Sequence, residues 1–140
     1  MQTGPYRLPD LGGINVLIVD DLLEDRSMVA AVLELAGAAV FELSLAMEAK
    51  STIRHLRPDV VITEMALADA TGVDLARWIR SYDQTRQGGT VVIALTRWVA
   101  EYPCEVAREA GFDGYFTKPP TTDDLVVALA ALLRTPSKSR

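Results

Sequence analysis

Five side chains suited to metal and phosphate chemistry occur at separated points of the sequence. Asp20 and Asp21 are adjacent, and Glu64 lies 44 residues after Asp20. Thr96 precedes Lys118 by 22 residues. Clustered carboxylates repel one another unless a cation neutralises them, and oxygen ligands of this kind suit Mg²⁺. The lysine offers a second positive charge, and the hydroxyl could hold an oxyanion. These residue types predict a site for phosphoryl chemistry, provided that the fold brings them together.

Each of these residues follows a short apolar run. The clearest run is Val60-Val61-Ile62-Thr63, which leads into Glu64, and the chain then becomes polar and Gly-bearing through Asp69-Ala70-Thr71-Gly72. Such a run, bounded by turn residues, is typical of a strand that is buried on both faces in a parallel sheet. Open α/β sheets place their ligand sites at the carboxyl ends of strands. We therefore expect the acids, Thr96 and Lys118 to meet at one edge of a sheet.

Strand patterns alternate with helical patterns along the chain, which requires parallel pairing and right-handed crossovers. The predicted fold is a doubly wound three-layer α/β/α sandwich around five parallel strands in the order 2-1-3-4-5, the flavodoxin-like arrangement. Gly37 is expected to end the first helix and Arg57-Pro58 the second. The expected strands are 14–19, 39–43, 60–63, 91–95 and 114–117, and the expected helices are about 23–35, 46–56, 73–80, 103–110 and 123–134.

The composition predicts one globular domain. The chain has 140 residues, of which 49% are hydrophobic and 24% charged. Its net charge of −5 argues against a surface for nucleic acid or anionic membrane. A single cysteine, Cys104, excludes an internal disulfide framework and fits a reducing compartment. No apolar run approaches the ~18 residues of a membrane span and no signal-peptide pattern is present, so we expect a cytoplasmic protein. Residues 1–13 are expected to be a loose leader, 14–134 the folded domain and 135–140 a polar tail.

Four segments resemble motifs of one protein family. In chain order they are Val16–Asp21, Arg57–Glu64, Ala94–Thr96 and Gly114–Pro119. Each motif is short, but their order and spacing together resemble the receiver domain of two-component response regulators, from about Ile14 to Leu133. The resemblance implies a signalling module of a phosphorelay with the flavodoxin-like fold.

The resemblance also assigns roles to the residues at the expected sheet edge. In the family, an aspartate at the position of Glu64 takes a phosphoryl group from a histidine kinase. Thr96 and Tyr115 would form the switch pair, and Lys118 would pair with the phosphorylated side chain. The metal ligands that the resemblance implies are Asp20, Asp21, Glu64 and Ala66.

Three departures from the family pattern predict a receiver that is not phosphorylated at the usual position. Glu64 replaces the acceptor aspartate, and its extra methylene moves the carboxylate ~1.5 Å further into the pocket. In a reaction that depends on precise positioning, misplacement of about an ångström can lower the rate on the order of 10²-fold. Arg97 stands where the family favours a small residue, and Ala68 where it usually has a proline. Arg97 and Trp98 are expected to block the pocket. We expect the guanidinium of Arg97 to neutralise Glu64 or the acid pair, and Mg²⁺ to bind weakly or not at all.

The leading functional interpretation is a receiver-like module, not an enzyme, that acts through protein contacts. The expected partner is a histidine kinase or a downstream effector, without direct contact to nucleic acid or membrane, and a homodimer is left open. Glu64 either mimics the phosphorylated state or lies in a pocket that Arg97 locks inactive. Two alternatives are a working receiver phosphorylated on another acid such as Asp69, and a flavodoxin-like cofactor binder. The lack of a Ser/Thr/Gly-rich phosphate loop after the first strand argues against the cofactor binder.

Overall fold

The computed structural model describes residues 8–83 and 89–134, which contain five strands alternating with five helices. The strands form from short apolar segments rich in β-branched residues, and the helices from longer segments with one apolar face. The strands are β1 (Asn15–Val19), β2 (Ala39–Leu43), β3 (Val60–Thr63), β4 (Val91–Thr96) and β5 (Gly114–Thr117). The helices are α1 (Leu23–Leu35), α2 (Ala46–Leu56), α3 (Gly72–Asp83), α4 (Cys104–Ala110) and α5 (Thr122–Arg134).

All five strands pair in parallel, in the order β2-β1-β3-β4-β5. A helix separates each strand from the next, and a crossover of this kind returns the chain parallel to the strand before it. The predicted strand order is confirmed. The register places Val19 opposite Thr63 and Thr63 opposite Ala94. The residues that follow β1 and β3 therefore leave the sheet at the same edge.

Two apolar clusters cover the two faces of the sheet. In β1, Val16 and Ile18 belong to the cluster with α1 and α5, whereas Leu17 and Val19 belong to the cluster with α2, α3 and α4. All four residues of β3 are buried, as expected for a central strand covered on both faces. Packing on both faces fixes the sheet, and with it the positions of the residues that follow each strand.

Local sequence explains three helix ends. Gly37 follows α1 with a φ of 105°, a left-handed conformation that glycine adopts without strain. Arg57 ends α2 with a φ of 52°, directly before Pro58, so the predicted stop is confirmed. Gly72 opens α3 at a point where a Cβ atom would lie 2.6 Å from the carbonyl oxygen of Glu64. A side chain at position 72 would therefore push α3 away from the end of β3.

The predicted helix and strand bounds differ from the observed ones by at most three residues. The largest difference is in α3, which continues to Asp83 rather than ending near Arg80. Tyr82, in this additional turn, stacks on Trp78 with ring centroids 5.2 Å apart. This stacking stabilises the last turn of α3, whereas the polar sequence that follows the helix had predicted an earlier end.

The segment predicted as a loose leader packs in part against the domain where the structure describes it. Leu11 is 1% exposed, and its backbone N–H donates to the carbonyl oxygen of Ala36 at 2.7 Å. Leu8 also packs against the core, whereas Asp10, Gly12 and Gly13 are exposed, so the described part of the leader contacts the domain through its two leucines. Residues 1–7 of the leader and the tail at 135–140 lie outside the described residues. None of the helices described is long and apolar enough to cross a membrane.

Candidate functional site

The carboxyl end of β1 supplies two acids with different surroundings. Asp20 is buried, and its Oδ1 accepts a hydrogen bond from the backbone N–H of Leu22 at 3.0 Å. Burial raises the pKa of Asp20 above its ordinary value, although hydrogen bonds from Lys118 and Leu22 act in the opposite direction. The side chain of Asp21 is exposed and makes no hydrogen bond or ion pair within the described chain. The predicted acid pair is thus one buried carboxylate and one that faces solvent.

Glu64 follows β3, and the protein encloses its carboxylate. The side chain is 2% exposed, and Oε1 accepts the backbone N–H of Met65 at 2.6 Å. Oε2 accepts the backbone N–H of Arg97 at 3.4 Å and lies 3.0 Å from Nζ of Lys118. Each oxygen therefore has at least one donor, as a buried charge requires.

Lys118 follows β5 and is the cation at the centre of the site. Its side chain is 5% exposed, and Nζ lies 2.6 Å from Asp20, 2.8 Å from Asp25 and 3.0 Å from Glu64. An ammonium has three donors, which matches the three carboxylates. Burial alone would lower the pKa of Lys118, but its hydrogen bonds to these acids outweigh that effect and raise the pKa. The lysine remains charged and offsets the mutual repulsion of the acids.

Asp25, in the first turn of α1, is a site residue that the sequence analysis did not identify. Its carboxylate binds both Lys118 and the guanidinium of Arg97. The hydrogen bond from Lys118 holds the pKa of Asp25 below its ordinary value. The only signal in the sequence was its position one helical turn past the acid pair, and acids are common in first turns for their effect on the helix dipole.

The guanidinium of Arg97 does not lie where the sequence predicted. We expected it on Glu64 or on the acid pair after β1, but it pairs with Asp25, and only the backbone N–H of Arg97 reaches Glu64. That prediction is wrong because Lys118 already occupies the space between the buried acids. Asp25 is partly exposed, so a long side chain can reach it from the surface.

The predicted switch residues Thr96 and Tyr115 bind opposite ends of the segment between β4 and α4. Thr96 is fully buried, and its Oγ1 accepts the backbone N–H of Trp98 at 2.9 Å. Tyr115 is half-buried, and its hydroxyl donates to the carbonyl oxygen of Tyr102 at 2.7 Å. Burial raises the pKa of the Tyr115 phenol. Both side chains therefore contact this segment, and their role as a switch pair stays a prediction.

A cavity of about 120 Å³ opens beside the acids, between α1 and the segments that follow β4 and β5. Asp25, Arg97 and Lys118 form its polar end. Trp98, which was predicted to help block the pocket, does not line this cavity and is 43% exposed. The rest of the wall is apolar and consists of Met28, Val29, Leu95, Pro119 and Pro120.

The acids that were predicted to hold Mg²⁺ are divided between a buried lysine and solvent. Mg²⁺ requires near-octahedral oxygen ligands and usually takes one or two carboxylates. Asp20 and Glu64 both face the ammonium of Lys118, whereas Asp21 faces solvent. Within residues 8–83 and 89–134, no group of three or more His, Cys, Asp or Glu side chains could hold a metal ion. Metal binding by the predicted ligand set of Asp20, Asp21, Glu64 and Ala66 stays a prediction.

Asp69, the alternative acceptor, is bound to the start of α2. Its Oδ1 accepts the backbone N–H of Ala46 at 2.9 Å, and its Oδ2 accepts that of Met47 at 3.0 Å. These hydrogen bonds hold the pKa of Asp69 below its ordinary value. The first amides of a helix lack partners within the helix, so a carboxylate in this place stabilises α2.

Comparison with known proteins identifies the family. The family model for the response regulator receiver domain matches residues 16–130, from β1 into α5. The chain belongs to the response regulator receiver domain family. Receiver domains are signalling modules of two-component systems, so the resemblance of the four motifs is confirmed at the level of the family. The flavodoxin-like cofactor binder is set aside.

Curated relatives match this receiver domain over part of their length. The phosphate regulon transcriptional regulatory protein PhoB of Pseudomonas aeruginosa is 34% identical over 122 residues, which cover 87% of this chain and 52% of PhoB. The probable transcriptional regulatory protein TcrX of Mycobacterium tuberculosis is 33% identical over 121 residues, which cover 86% of this chain and 50% of TcrX. The chain spans about half the length of these curated relatives.

Solved structures share the fold of this receiver domain. A putative response regulator from Chloroflexus aurantiacus superposes with a TM-score of 0.80 at 27% identity, covering 87% of this chain and 98% of that one. The chemotaxis response regulator CheY4 of Vibrio cholerae superposes with a TM-score of 0.75 at 26% identity, covering 85% of this chain and 98% of that one. The predicted flavodoxin-like arrangement is therefore confirmed.

Proposed function

We propose that this receiver domain signals through protein contacts and is not phosphorylated at Glu64. The observation that carries the proposal is the enclosure of the Glu64 carboxylate. Both of its oxygens accept hydrogen bonds from the chain itself, and Nζ of Lys118 lies 3.0 Å from Oε2. A carboxylate that attacks phosphorus needs an accessible oxygen aligned with the donor, and this enclosure opposes such an approach.

The additional methylene of Glu64 accounts for the enclosure. It extends the carboxylate ~1.5 Å beyond the reach of an aspartate, a large displacement for a positioned reaction. The longer side chain meets the backbone N–H of Arg97 after β4 as well as the N–H of the next residue, Met65. Backbone amides and an ammonium are also the donors that bind phosphoryl oxygens. The carboxylate of Glu64 therefore occupies these donors without phosphorylation. We expect it to hold the domain in one conformational state.

We further propose that Lys118 neutralises the acids in place of Mg²⁺, which binds weakly or not at all. Two unit charges of like sign 4 Å apart repel by roughly 1 kcal/mol in bulk water and by more where they are partly buried. One ammonium within 3.0 Å of three carboxylates offsets this repulsion without a metal. The acid that remains open to solvent, Asp21, is a single carboxylate and a weak ligand by itself.

The alternative acceptor, Asp69, is disfavoured by its own hydrogen bonds. Both of its oxygens accept backbone N–H groups at the start of α2. Phosphorylation of this carboxylate would turn one of its oxygens into the bridging oxygen of an acyl phosphate and so break at least one of these hydrogen bonds. We therefore assign Asp69 a structural role.

The partner of this domain is a protein, either a histidine kinase or a downstream effector. PhoB and TcrX are named as transcriptional regulatory proteins. By analogy, this receiver passes a signal in the cytoplasm through its surface and catalyses no reaction of its own. The surface around Tyr115 and α5 is the part that we expect the partner to contact.

Treatment with a small phosphodonor tests the proposal. After incubation with acetyl phosphate and Mg²⁺, intact-mass spectrometry of the unaltered protein should show no added phosphoryl group. Glu64→Asp withdraws the carboxylate from the backbone donors, so a fraction of that variant should gain one phosphoryl group. Glu64→Asp combined with Arg97→Ala should gain more, because the second change removes a bulky side chain from the mouth of the pocket.

Glu64→Gln is the matched control, since it keeps the length of the side chain and removes the nucleophile. A phosphoryl group on the unaltered protein would refute the proposal. Loss of that label in Glu64→Gln would identify Glu64 as a working acceptor. Loss in Asp69→Asn would support the alternative acid instead.

A further inference from the structure

Asp25 joins three segments that meet over the acid pocket. It lies in the first turn of α1, and its Oδ2 is 2.8 Å from Nζ of Lys118. The same oxygen also binds the guanidinium of Arg97. Lys118 belongs to the segment after β5, and Arg97 to the segment after β4. One carboxylate oxygen therefore ties a helix to both segments.

The two cations depend on Asp25 to different degrees. Lys118 also contacts Asp20 and Glu64, whereas Asp25 is the one carboxylate within the described chain that pairs with Arg97. The side chain of Lys118 is 5% exposed, that of Asp25 26% and that of Arg97 45%. The cluster therefore runs from the buried acids to solvent, and its outer end can open without disturbing the core.

We propose that Asp25 is the positioning residue that holds the segments after β4 and β5 in one arrangement over the pocket. The inference deepens the proposed function and rests on it, because it supplies the contact that keeps this receiver in a single state. Two cations approach the same oxygen, so loss of the carboxylate replaces attraction with repulsion. Asp25 acts through Arg97 and Lys118 and does not need to touch a phosphoryl group.

Loss of Asp25 should expose two groups that can be measured. The backbone N–H of Arg97 donates to Glu64 over 3.4 Å, and that of Trp98 donates to Thr96 at 2.9 Å. Both amides will exchange with solvent faster if the segment after β4 opens. The amine of Lys118 is buried and charged, so it reacts slowly with acylating reagents, and loss of an acceptor makes it more reactive.

Hydrogen exchange of residues 97–102 and trace acetylation of Lys118, normalised to Lys50, test the inference together. Asp25→Asn keeps the shape of the side chain and removes its charge. Both rates should rise about tenfold, the factor that corresponds to loss of one moderate charge-assisted hydrogen bond. Asp25→Glu should restore most of the protection, because it returns a carboxylate to the same turn of α1.

Two further variants separate Asp25 from a general effect of charge. Glu24→Gln removes an exposed acid from the same helical turn, one that makes no ion pair within the described chain, and should leave both rates unchanged. Arg97→Gln should raise exchange of residues 97–102 and change acetylation of Lys118 less, since the lysine keeps Asp25.

The inference is overturned if Asp25→Asn leaves both rates at the values of the unaltered protein. It is also overturned if Glu24→Gln raises them to the same extent. Neither readout uses a phosphodonor. Failure of the proposed function, seen as a phosphoryl group on the unaltered protein, is therefore distinguishable from failure of this inference.

Discussion

Replacing Lys118 with methionine removes the ammonium that contacts three acids. Methionine has a similar length and packs well in irregular apolar space, so the change isolates the charge. Asp20 and Glu64 are buried, and water cannot readily replace the lost donor. Asp25 keeps its ion pair with Arg97. The variant therefore contains two buried carboxylates without a counterion.

The expected loss of stability is large. Removing one partner of a buried ion pair destabilises a protein by about 3–5 kcal/mol, because the charge left behind has no compensation. A domain of this size has a total free energy of unfolding of about 5–15 kcal/mol. With a urea dependence of about 2 kcal/mol per molar, the unfolding midpoint should fall by about 2 M.

The loss should shrink as the pH falls. Burial raises the pKa of Asp20, and the hydrogen bond from Lys118 counteracts this, so the pKa should rise further in Lys118→Met. An acid whose pKa is higher in the folded than in the unfolded state makes folding more favourable as pH drops below the folded-state value. The gain is complete below the pKa of the unfolded chain. Between pH 7 and about pH 4, the stability of Lys118→Met should therefore approach that of the unaltered protein.

Urea unfolding followed by circular dichroism at several pH values measures both effects. Lys50→Met is the matched control, because this ammonium lies 5.8 Å from the centroid of the Trp78 ring and forms no salt bridge within the described chain. Its loss should cost less than about 1 kcal/mol. Equal midpoints for the two variants would refute the view that Lys118 is a buried counterion. Glu64→Gln added to Lys118→Met should recover part of the loss, since it removes one unpaired charge.

Three further outcomes are expected. Asp69→Ala should lower the free energy of unfolding by about 1 kcal/mol in urea titrations, as loss of a helix cap does, and an unchanged midpoint would contradict the capping role. Tyr115→Phe should lower the free energy of unfolding by about 1 kcal/mol through loss of the hydrogen bond to the Tyr102 carbonyl. Because the pKa of Tyr115 is raised, ultraviolet titration of this variant should show one fewer phenol that titrates at high pH. Millimolar Mg²⁺ should leave the melting temperature unchanged, since a ligand of the folded state must raise it; a clear rise that Asp21→Ala abolishes would show a working metal site.

Most of the fold could be predicted because its strands are apolar runs bounded by turn residues. The bounds of β2, α2 and β5 coincide with those expected from the sequence. The packing of Leu8 and Leu11 could not be predicted, since two apolar side chains among glycines and prolines form no periodic pattern. The end of α3 was missed because stacking between aromatic rings, rather than amphipathic spacing, supports its last turn.

The site could be predicted where it depends on strands and not where it depends on a helix or a long side chain. Residues directly after parallel strands share an edge of the sheet whatever their rotamers, so Glu64 and Lys118 meet as expected. Asp25 reaches the same edge only because the start of α1 is oriented so that this position of its first turn faces the ends of the strands. The direction of the Arg97 side chain then depends on which acid is accessible, and that is a property of the assembled surface.

The charges of the cluster connect two features of this receiver, namely the glutamate at position 64, where the family has an aspartate, and the presence of Asp25. Three carboxylates and two cations leave the cluster with one net negative charge, so a phosphoryl group would add negative charge that no remaining cation of the cluster offsets. Glu64 reaches the lysine from the buried side, and Asp25 reaches it from the side of solvent. With both acids in place and Asp20 beside them, each of the three N–H donors of Lys118 has a carboxylate acceptor. On the proposal that this receiver is not phosphorylated at Glu64, its own side chains supply to the lysine the negative charge that a phosphoryl group would bring.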